Sequence, residues 1–345
     1  MYTSSIFLFV LLLCCTSLVF SSGYDENTLL KIKQQLGDPY GLGWWVKGFD
    51  YCNESANVAP EYSQITCTST GRVESLVLHN LYGPARSPLF PDGICGLTNL
   101  VALDVSEVNV FGSIPSCITK LSNLVRLGIT KTYLSGPVPG FSGQTIPTNL
   151  TNIDLSGNQL SGTIPPSLFT LPKLDTLNLA SNNLTGTIPP GILHTKNPAL
   201  LLTNNSLSGE LPKSYGSVEF SRIDVGGNQL GGDASFLFGK QKTQYIVLAN
   251  NNFEFDLSYI EFSDNIYGVD LSHNKIYGKV PDSFATAQNL WYPNLSFNRL
   301  CGELPKGGNM WRFGPAVFAN NSCLCGPPLP PCSNWAPAPA PAPAS

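Results

Sequence analysis

The chain has 345 residues, only 12% of them charged, and a net charge of −4. So thin and slightly acidic a balance excludes the basic footprint that nucleic acid or an anionic membrane requires. Glycine (32) and proline (28) are abundant, the composition of many short elements joined by tight turns.

In chain order, the first element is a targeting segment. Ile6 to Phe20 is nearly all apolar and uncharged, and Ser21, Ser22 and Gly23 supply the small residues of a cleavage site. Residues 1–23 read as a signal peptide, although the usual positive start is missing. The apolar stretch falls short of the ~20 residues needed to span a bilayer, and no other run is long enough. The expectation is a secreted, soluble protein without a membrane anchor after cleavage. Cys14 and Cys15 would leave with the signal. Cys52, Cys67, Cys95, Cys117, Cys301, Cys323, Cys325 and Cys332 remain. An even number gathered towards the two ends suggests disulfides in an oxidising compartment. Zinc is the rival reading, but Cys323-x-Cys325 lacks the usual spacing and no histidine lies nearby. No metal or cofactor is expected.

A repeat then fills most of the chain. The second member of an L-x-L pair, or its apolar equivalent, falls at Leu78, Val105, Ile129, Leu155, Leu179, Leu202, Val225, Leu248, Leu271 and Leu295. Ten repeats of about 24 residues cover roughly 70–310. Alternation with a period of two turns both apolar side chains of each pair to one side. Three residues on comes an asparagine: Asn158, Asn182, Asn205, Asn228, Asn251, Asn274 and Asn298. Stacked in successive coils, its amide can satisfy the backbone where the strand turns. Next come L-x-G-x-I-P elements such as "LSGTIPP" (Leu160 to Pro166), then a weakly helical stretch such as "SLFTLPKL". One coil cannot bury its own apolar face. Stacked coils can, which predicts a solenoid with one long parallel sheet on its concave side and a cap at each end.

"NQLSGTIPPSLFTLPKL" resembles the plant-type extracellular leucine-rich-repeat class, in which the S-G-x-I-P element is distinctive. Further stretches resemble the polygalacturonase-inhibiting proteins, wall defence proteins that block pectin-degrading enzymes. These are "LLKIKQQLGDPYGLGWW" (Leu29 to Trp45), "GGDASFLFG" (Gly231 to Gly239), "HNKIYGKVP" (His273 to Pro281), "FNRLCGELPKGG" (Phe297 to Gly308) and "NSCLCGPPLPPC" (Asn321 to Cys332). The resemblance covers about residues 24–332. It implies an α/β solenoid: a right-handed leucine-rich-repeat superhelix with a parallel concave β-sheet, about ten repeats and disulfide-bonded caps. The expected divisions are an N-terminal cap at 24–69, the solenoid at 70–310, a C-terminal cysteine cap at 311–335 and an Ala/Pro-rich tail at 336–345. The family's first cap cysteine is absent here, and its Cys-Cys pair reads Tyr51-Cys52. With those two lost together, the resemblance implies Cys52–Cys67, and its C-terminal spacing implies Cys301–Cys323 and Cys325–Cys332. Cys95 and Cys117 look additional and fall in neighbouring coils, where a bridge between them is sterically open.

The resemblance implies that the concave face binds the pectinase, partly through carboxylates. Around L-x-L that face would carry Asp104, Ser106, Glu107, Arg126, Thr130, Lys131, Asp154, Ser156, Asn178, Ala180, Asp224, Gln244, Asp270 and His273. Asp154 and Asp224 match pocket carboxylates of the family, while Ser106, Gly128, Asn178 and Ala180 depart from its pattern. Sequons at Asn53, Asn149, Asn183, Asn204, Asn294 and Asn320 fit a secreted glycoprotein. Asn204 and Asn294 are expected on the concave face, where a glycan on Asn204 would obstruct its middle.

An enzyme is not expected. His79 and His273 would lie eight coils apart, on the order of 38 Å at ~4.8 Å per strand. No nucleophile elbow, phosphate loop or metal cluster is present, and an open sheet offers nothing to raise a carboxylate pKa. The tail "APAPAPAPAS" is low-complexity and extended, a flexible end or a site of hydroxyproline glycosylation that tethers the chain to the wall. Three functions remain: a monomeric wall protein that binds and inhibits polygalacturonase, a structural protein that binds pectin or another wall polysaccharide, or an apoplastic ligand-binding, co-receptor-type ectodomain.

Overall fold

The computed structural model describes residues 25–52, 60–83, 88–143, 146–191, 193 and 195–332. The signal segment, the Ala/Pro tail, Asn53 and His194 lie outside the described residues. Eleven strands form one long sheet. Ten are parallel and follow chain order, from Val73–His79 through Ala102–Ser106 and onward to Tyr292–Asn294. Each carries one of the L-x-L pairs. The eleventh, Ser63–Cys67, pairs antiparallel with Val73–His79 and closes the N-terminal edge.

The paired side chains are the core. Leu76, Leu78, Leu127, Ile129, Leu177, Leu179, Ile246 and Leu248 are all fully buried. Each contributes roughly 1.5–3 kcal/mol by leaving water. In the C-terminal half, phenylalanines fill the space behind the sheet. Phe238, Phe262, Phe284 and Phe313 meet edge to face at 5.5, 5.3 and 5.4 Å.

The asparagines form a continuous ladder. Asn182 donates through Nδ2 to the carbonyls of Leu155 (3.0 Å) and Leu179 (3.1 Å), and its Oδ1 accepts from Leu160 N–H at 3.0 Å. The same pattern recurs to Asn298, and Asn321 adds a further rung that the L-x-L count did not include. Where the ladder begins, Thr132 donates its hydroxyl to Asn158 Oδ1.

Two features differ from the sequence reading. The L-x-G segments are not only turns. From Phe111–Gly112 to Asn252–Phe253 they pair into a second, seven-stranded sheet, and three more strands form a small sheet at the C-terminal end. The helical stretches that close most coils are short 3₁₀ turns such as Pro166–Thr170.

The N-terminal cap is the helix Glu26–Gln35, which buries Leu29 and Ile32. Asp25, itself buried, accepts from the Arg72 guanidinium at 3.0–3.2 Å and from Val73 N–H at 2.8 Å, tying the cap to the first parallel strand. Disulfides join Cys52–Cys67, Cys95–Cys117, Cys301–Cys323 and Cys325–Cys332, with Cα separations of 5.4, 5.8, 4.5 and 5.0 Å. The second links the 3₁₀ turns of adjacent coils.

Candidate binding face

The strand register fixes which side chains stand in line. One row crosses the ten parallel strands through Val77, Asp104, Gly128, Asp154, Asn178, Leu201, Asp224, Val247, Asp270 and Asn294. These are the x residues of L-x-L, on the face opposite the leucines, at about 4.8 Å per step. Four of the ten are aspartates.

These aspartates also have a local role. Asp154 Oδ1 accepts from Ser156 N–H (3.0 Å) and Ser156 Oγ–H (2.6 Å). Asp270 holds Ser272 in the same way at 3.0 and 2.6 Å, and Asn294 holds Ser296. An Asp or Asn side chain here satisfies the amide two residues on, where the strand ends. One carboxylate oxygen is therefore committed to the backbone turn. The other faces the row: Asp154 Oδ2 accepts from Asn178 Nδ2 at 3.0 Å.

Asp224 departs from the expected open position. It is only 6% exposed. Its carboxylate accepts from Arg222 Nη2 at 2.8 Å, from the Thr203 hydroxyl and from Gly226 N–H at 3.3 Å. The reason is its neighbours: Arg222 on the same strand and Thr203 on the preceding coil close over it.

At the N-terminal end, a shallow cleft of about 290 Å³ gathers seven of the expected residues: Asp104, Ser106, Glu107, Arg126, Thr130, Lys131 and Asp154. Gly128 lies on its floor, where a Cβ would meet the Asp104 carboxyl at an ordinary contact distance of 3.4 Å. Arg126 pairs with Asp104 at 3.6 Å, and Lys131 with Glu107 at 2.6 Å. The hydrogen bond and charge of Lys131 hold Glu107 below the usual carboxylate range, and Glu107 raises Lys131 in return. His79 Nδ1 meets Ser106 Oγ on the neighbouring strand.

Glu107, Lys131 and His273 are not strand residues. They occupy the position just before the ladder residue, where the backbone is left-handed in coil after coil: φ is 56° at Glu107, 51° at Lys131 and 55° at His273. They line the rim of the face. Asn204 belongs to the same set, with φ 56°, so its sequon lies in the exposed turn at the rim and not in the middle of the sheet. Asn294 does lie on a strand, half-buried. Asn149, Asn183 and Asn320 are exposed.

Ser156, Asn178 and Ala180 hold the middle of the face, all half-buried. Gln244, Asp270 and His273 belong to its C-terminal end, far from the charged cleft. His273 stacks on Phe297 with centroids 4.0 Å apart. This end also holds residues that sequence reasoning missed. Tyr245 and Tyr267 line a second cleft, with Tyr292 exposed on the next strand and Trp291 exposed just before it. Tyr267 is raised above the ordinary phenol range chiefly by Tyr292 beside it. The signal was available: four aromatic residues flank three consecutive L-x-L pairs.

Among the described residues, no group of three or more His, Cys, Asp or Glu side chains is placed to hold a metal ion, and no helix is long and apolar enough to cross a membrane.

A family profile described as leucine-rich repeats (two copies) matches residues 148–191. Polygalacturonase inhibitor 2 of Arabidopsis thaliana is 42% identical over 93 residues, 27% of this chain and 28% of that protein. Polygalacturonase inhibitor 1 of Phaseolus vulgaris is 39% identical over 93 residues, 27% of each chain. The match thus spans little more than a quarter of these relatives. Among solved structures, a plant ice-binding protein is 36% identical and superposes with a TM-score of 0.82 over 91% of this chain and 98% of that one. These relatives are named for inhibition or binding and not for a reaction they catalyse. A solved plant relative 36% identical along almost its whole length, together with inhibitors about 40% identical over 93 residues, places the chain among the plant leucine-rich-repeat proteins, similar to the polygalacturonase inhibitors.

Proposed function

We propose that this is a secreted plant cell-wall protein that binds a polygalacturonase across its concave face and inhibits it by occlusion. The observation that carries the reading is the aspartate row. Asp104, Asp154 and Asp270 share one line on the sheet, and in Asp154 and Asp270 one carboxylate oxygen is left over from the backbone turn. An enzyme that holds a polyuronate chain needs a cationic cleft. A row of fixed carboxylates on a rigid sheet matches such a cleft in charge, and complementary charge sets on-rate and specificity. The four disulfides fit an oxidising, extracellular compartment.

Asparagine is the informative substitution, since at 154 and 270 Asn keeps the bond to the amide two residues on while removing the charge. The triple variant Asp104→Asn, Asp154→Asn, Asp270→Asn creates an Asn-x-Ser sequon at each site, so it and the unaltered protein are produced in a host that adds no N-glycans; it should weaken inhibition in a reducing-end assay against a panel of polygalacturonases, and should flatten its salt dependence. Absence of binding to every enzyme of the panel by the unaltered protein would overturn the reading.

A second reading has its own observation. On the outer sheet Ser135, Ser161 and Thr185 recur in successive coils as exposed hydroxyls, with Thr163 and Thr187 alongside. A regular hydroxyl array suits an ice surface, the ligand named for the solved relative. Thr163→Lys with Thr187→Lys, neither of which alters a sequon, should abolish any inhibition of ice recrystallisation and leave polygalacturonase inhibition unaltered. An unaltered protein without effect on ice growth removes this reading.

A further inference from the structure

The C-terminal end of the concave face has a chemistry that enzyme docking does not use. A cleft of about 470 Å³ is lined by amides, among them Asn197, Gln241, Gln244 and Asn265, and by Tyr245 and Tyr267. Tyr267 touches the rings on both flanking strands, Tyr245 at 5.5 Å and Tyr292 at 5.4 Å. Gly268 stands in register between Tyr245 and Tyr292. Any Cβ there would lie 2.8 Å from the Tyr245 ring, so the glycine is what lets that ring lie across the strand. Beside this group, Trp291 is 53% exposed and Trp311 80% exposed, with the Arg312 guanidinium 4.5 and 5.3 Å from their ring centroids. Tyr292 is 66% exposed.

The basic side chains beside the cleft are already engaged. Arg222 binds Asp224 at 2.8 Å, Lys242 pairs with Glu219 at 3.4 Å, and Arg312 lies between the indoles and donates to Gln288 O at 3.3 Å. The amides are anchored: Asn265 donates to Gln241 O at 2.7 Å and Asn289 to Asp264 O at 2.8 Å. The cleft lining holds no aliphatic side chain, unlike the apolar sockets that receive protein hot-spot residues. Exposed ring faces beside fixed amides suit a ligand with apolar C–H faces and hydroxyl edges.

We propose that this end of the face binds a neutral, extended β-linked polysaccharide, stacking sugar rings on Tyr267, Tyr292 and Trp291 while the amides take their hydroxyls. The rings follow one another at 5.5 and 5.4 Å but are inclined by 65° and 56°, so sugars would meet them one at a time and not on a single flat platform. The proposal rests on other residues than the inhibitor reading, which reaches this end of the sheet only through Asp270.

Affinity electrophoresis of the full chain in gels containing mixed-linkage β-glucan, xyloglucan or galactomannan tests it, with polygalacturonate as the anionic arm. The chain carries Ser296→Ala throughout, so that a glycan on Asn294, two residues from Tyr292, does not compete. Retardation is expected in at least one neutral gel, insensitive to salt. Tyr267→Ala with Tyr292→Ala should weaken it about tenfold or more, the scale of one lost aromatic stacking partner. Tyr267→Phe with Tyr292→Phe keeps the rings and should keep the binding, which separates lost stacking from lost folding. Three outcomes overturn the proposal: no retardation in any neutral gel, retardation by polygalacturonate alone, or retardation that the alanine pair leaves intact. Loss of polygalacturonase binding in the alanine pair, with no glycan retardation to lose, would assign the rings to a protein partner instead and overturn it equally.

Discussion

From Ala102–Ser106 to Asn152–Asp154 the concave sheet presents Asp104, Arg126 and Asp154, with Glu107 and Lys131 at the rim. From Tyr245–Val247 to Tyr292–Asn294 it presents Tyr245, Tyr292 and Asp270, with Tyr267 and Trp291 at the strand starts. The parallel register is the same at both ends, while the asparagine ladder starts at Asn158 and runs through the C-terminal end. The outward residues differ in kind: salt-sensitive charge pairs at one end, ring faces and amides at the other. A solenoid separates the two problems that a globular fold must solve together. The leucines and asparagines hold the coils, and the x positions vary almost freely above them.

The sharpest way to break this comparison is to attack the scaffold at both ends. Asn158→Ala and Asn274→Ala each leave carbonyls of two coils unmatched, together with one donor, the Thr132 hydroxyl in the first and the Phe253 N–H in the second. Each should cost about 3 kcal/mol, since buried polar groups left without partners cost ~1–3 kcal/mol apiece. The two losses should be alike in denaturant unfolding. A loss confined to one end would show that the ladder is not the uniform support described above.

The next largest effect distinguishes aspartates that occupy the same row. Asp224→Ala removes a buried carboxylate that holds Arg222, Thr203 and Gly226, and should destabilise by about 2 kcal/mol. Asp154→Ala removes the bonds to Ser156 and Asn178 from a half-buried site, and should cost about 1 kcal/mol or less. Equal costs would mean that Asp224 is as solvated as the sequence suggested.

That pair shows where sequence reading stops. The L-x-L period and the asparagine three residues later are local, repeated signals, and they carry the parallel sheet and the ladder. The burial of Asp224 is decided by Arg222 two residues away and by Thr203 on another coil, and no single repeat contains both. The left-handed turn before each ladder residue was hidden because Glu107, Lys131 and Phe297 occupy it, where glycine or asparagine is the usual signal. The second sheet was read as turn because glycine and proline dominate L-x-G-x-I-P. The aromatic group was missed because its members do not share one repeat position: Tyr245 and Tyr292 stand in one row, and Tyr267 and Trp291 one residue earlier.

Alkali should find the aromatic parts of the molecule before the charged cleft. In the N-terminal cap, burial and the nearby Glu26 carboxylate push Tyr51 up to about 12, and its hydroxyl donates to Val46 O at 2.8 Å. The unfolded phenol titrates near 10. A pKa raised on folding gives stability that is complete below about pH 10 and is lost as pH rises through about 12. Tyr51→Phe removes the ionisable group, so its denaturation midpoint should fall less steeply than that of the unaltered protein across this window. Parallel pH profiles would mean that the Tyr51 phenol ionises as freely in the folded chain as in the unfolded one.

The smallest effect belongs to the charged end and to acid. Lys131 holds Glu107 below the ordinary carboxylate range across an exposed 2.6 Å contact between successive rim turns. A pKa lowered on folding gives an interaction that is present above the unfolded value and is lost as pH falls through the folded one. Because both groups are in water, the pair should contribute little to stability, and Glu107→Gln should leave the denaturation midpoint unchanged. The measurable quantity is the titration itself. Followed by carboxyl chemical shift, Glu107 should titrate below its usual range, and Lys131→Gln or high salt should return it there. A Glu107 titration indifferent to Lys131 would mean that the two side chains do not hold one another in solution. The rim would then offer a partner two independent charges instead of a preformed pair, and the salt dependence of docking at this end would have to come from Asp104 and Asp154 alone.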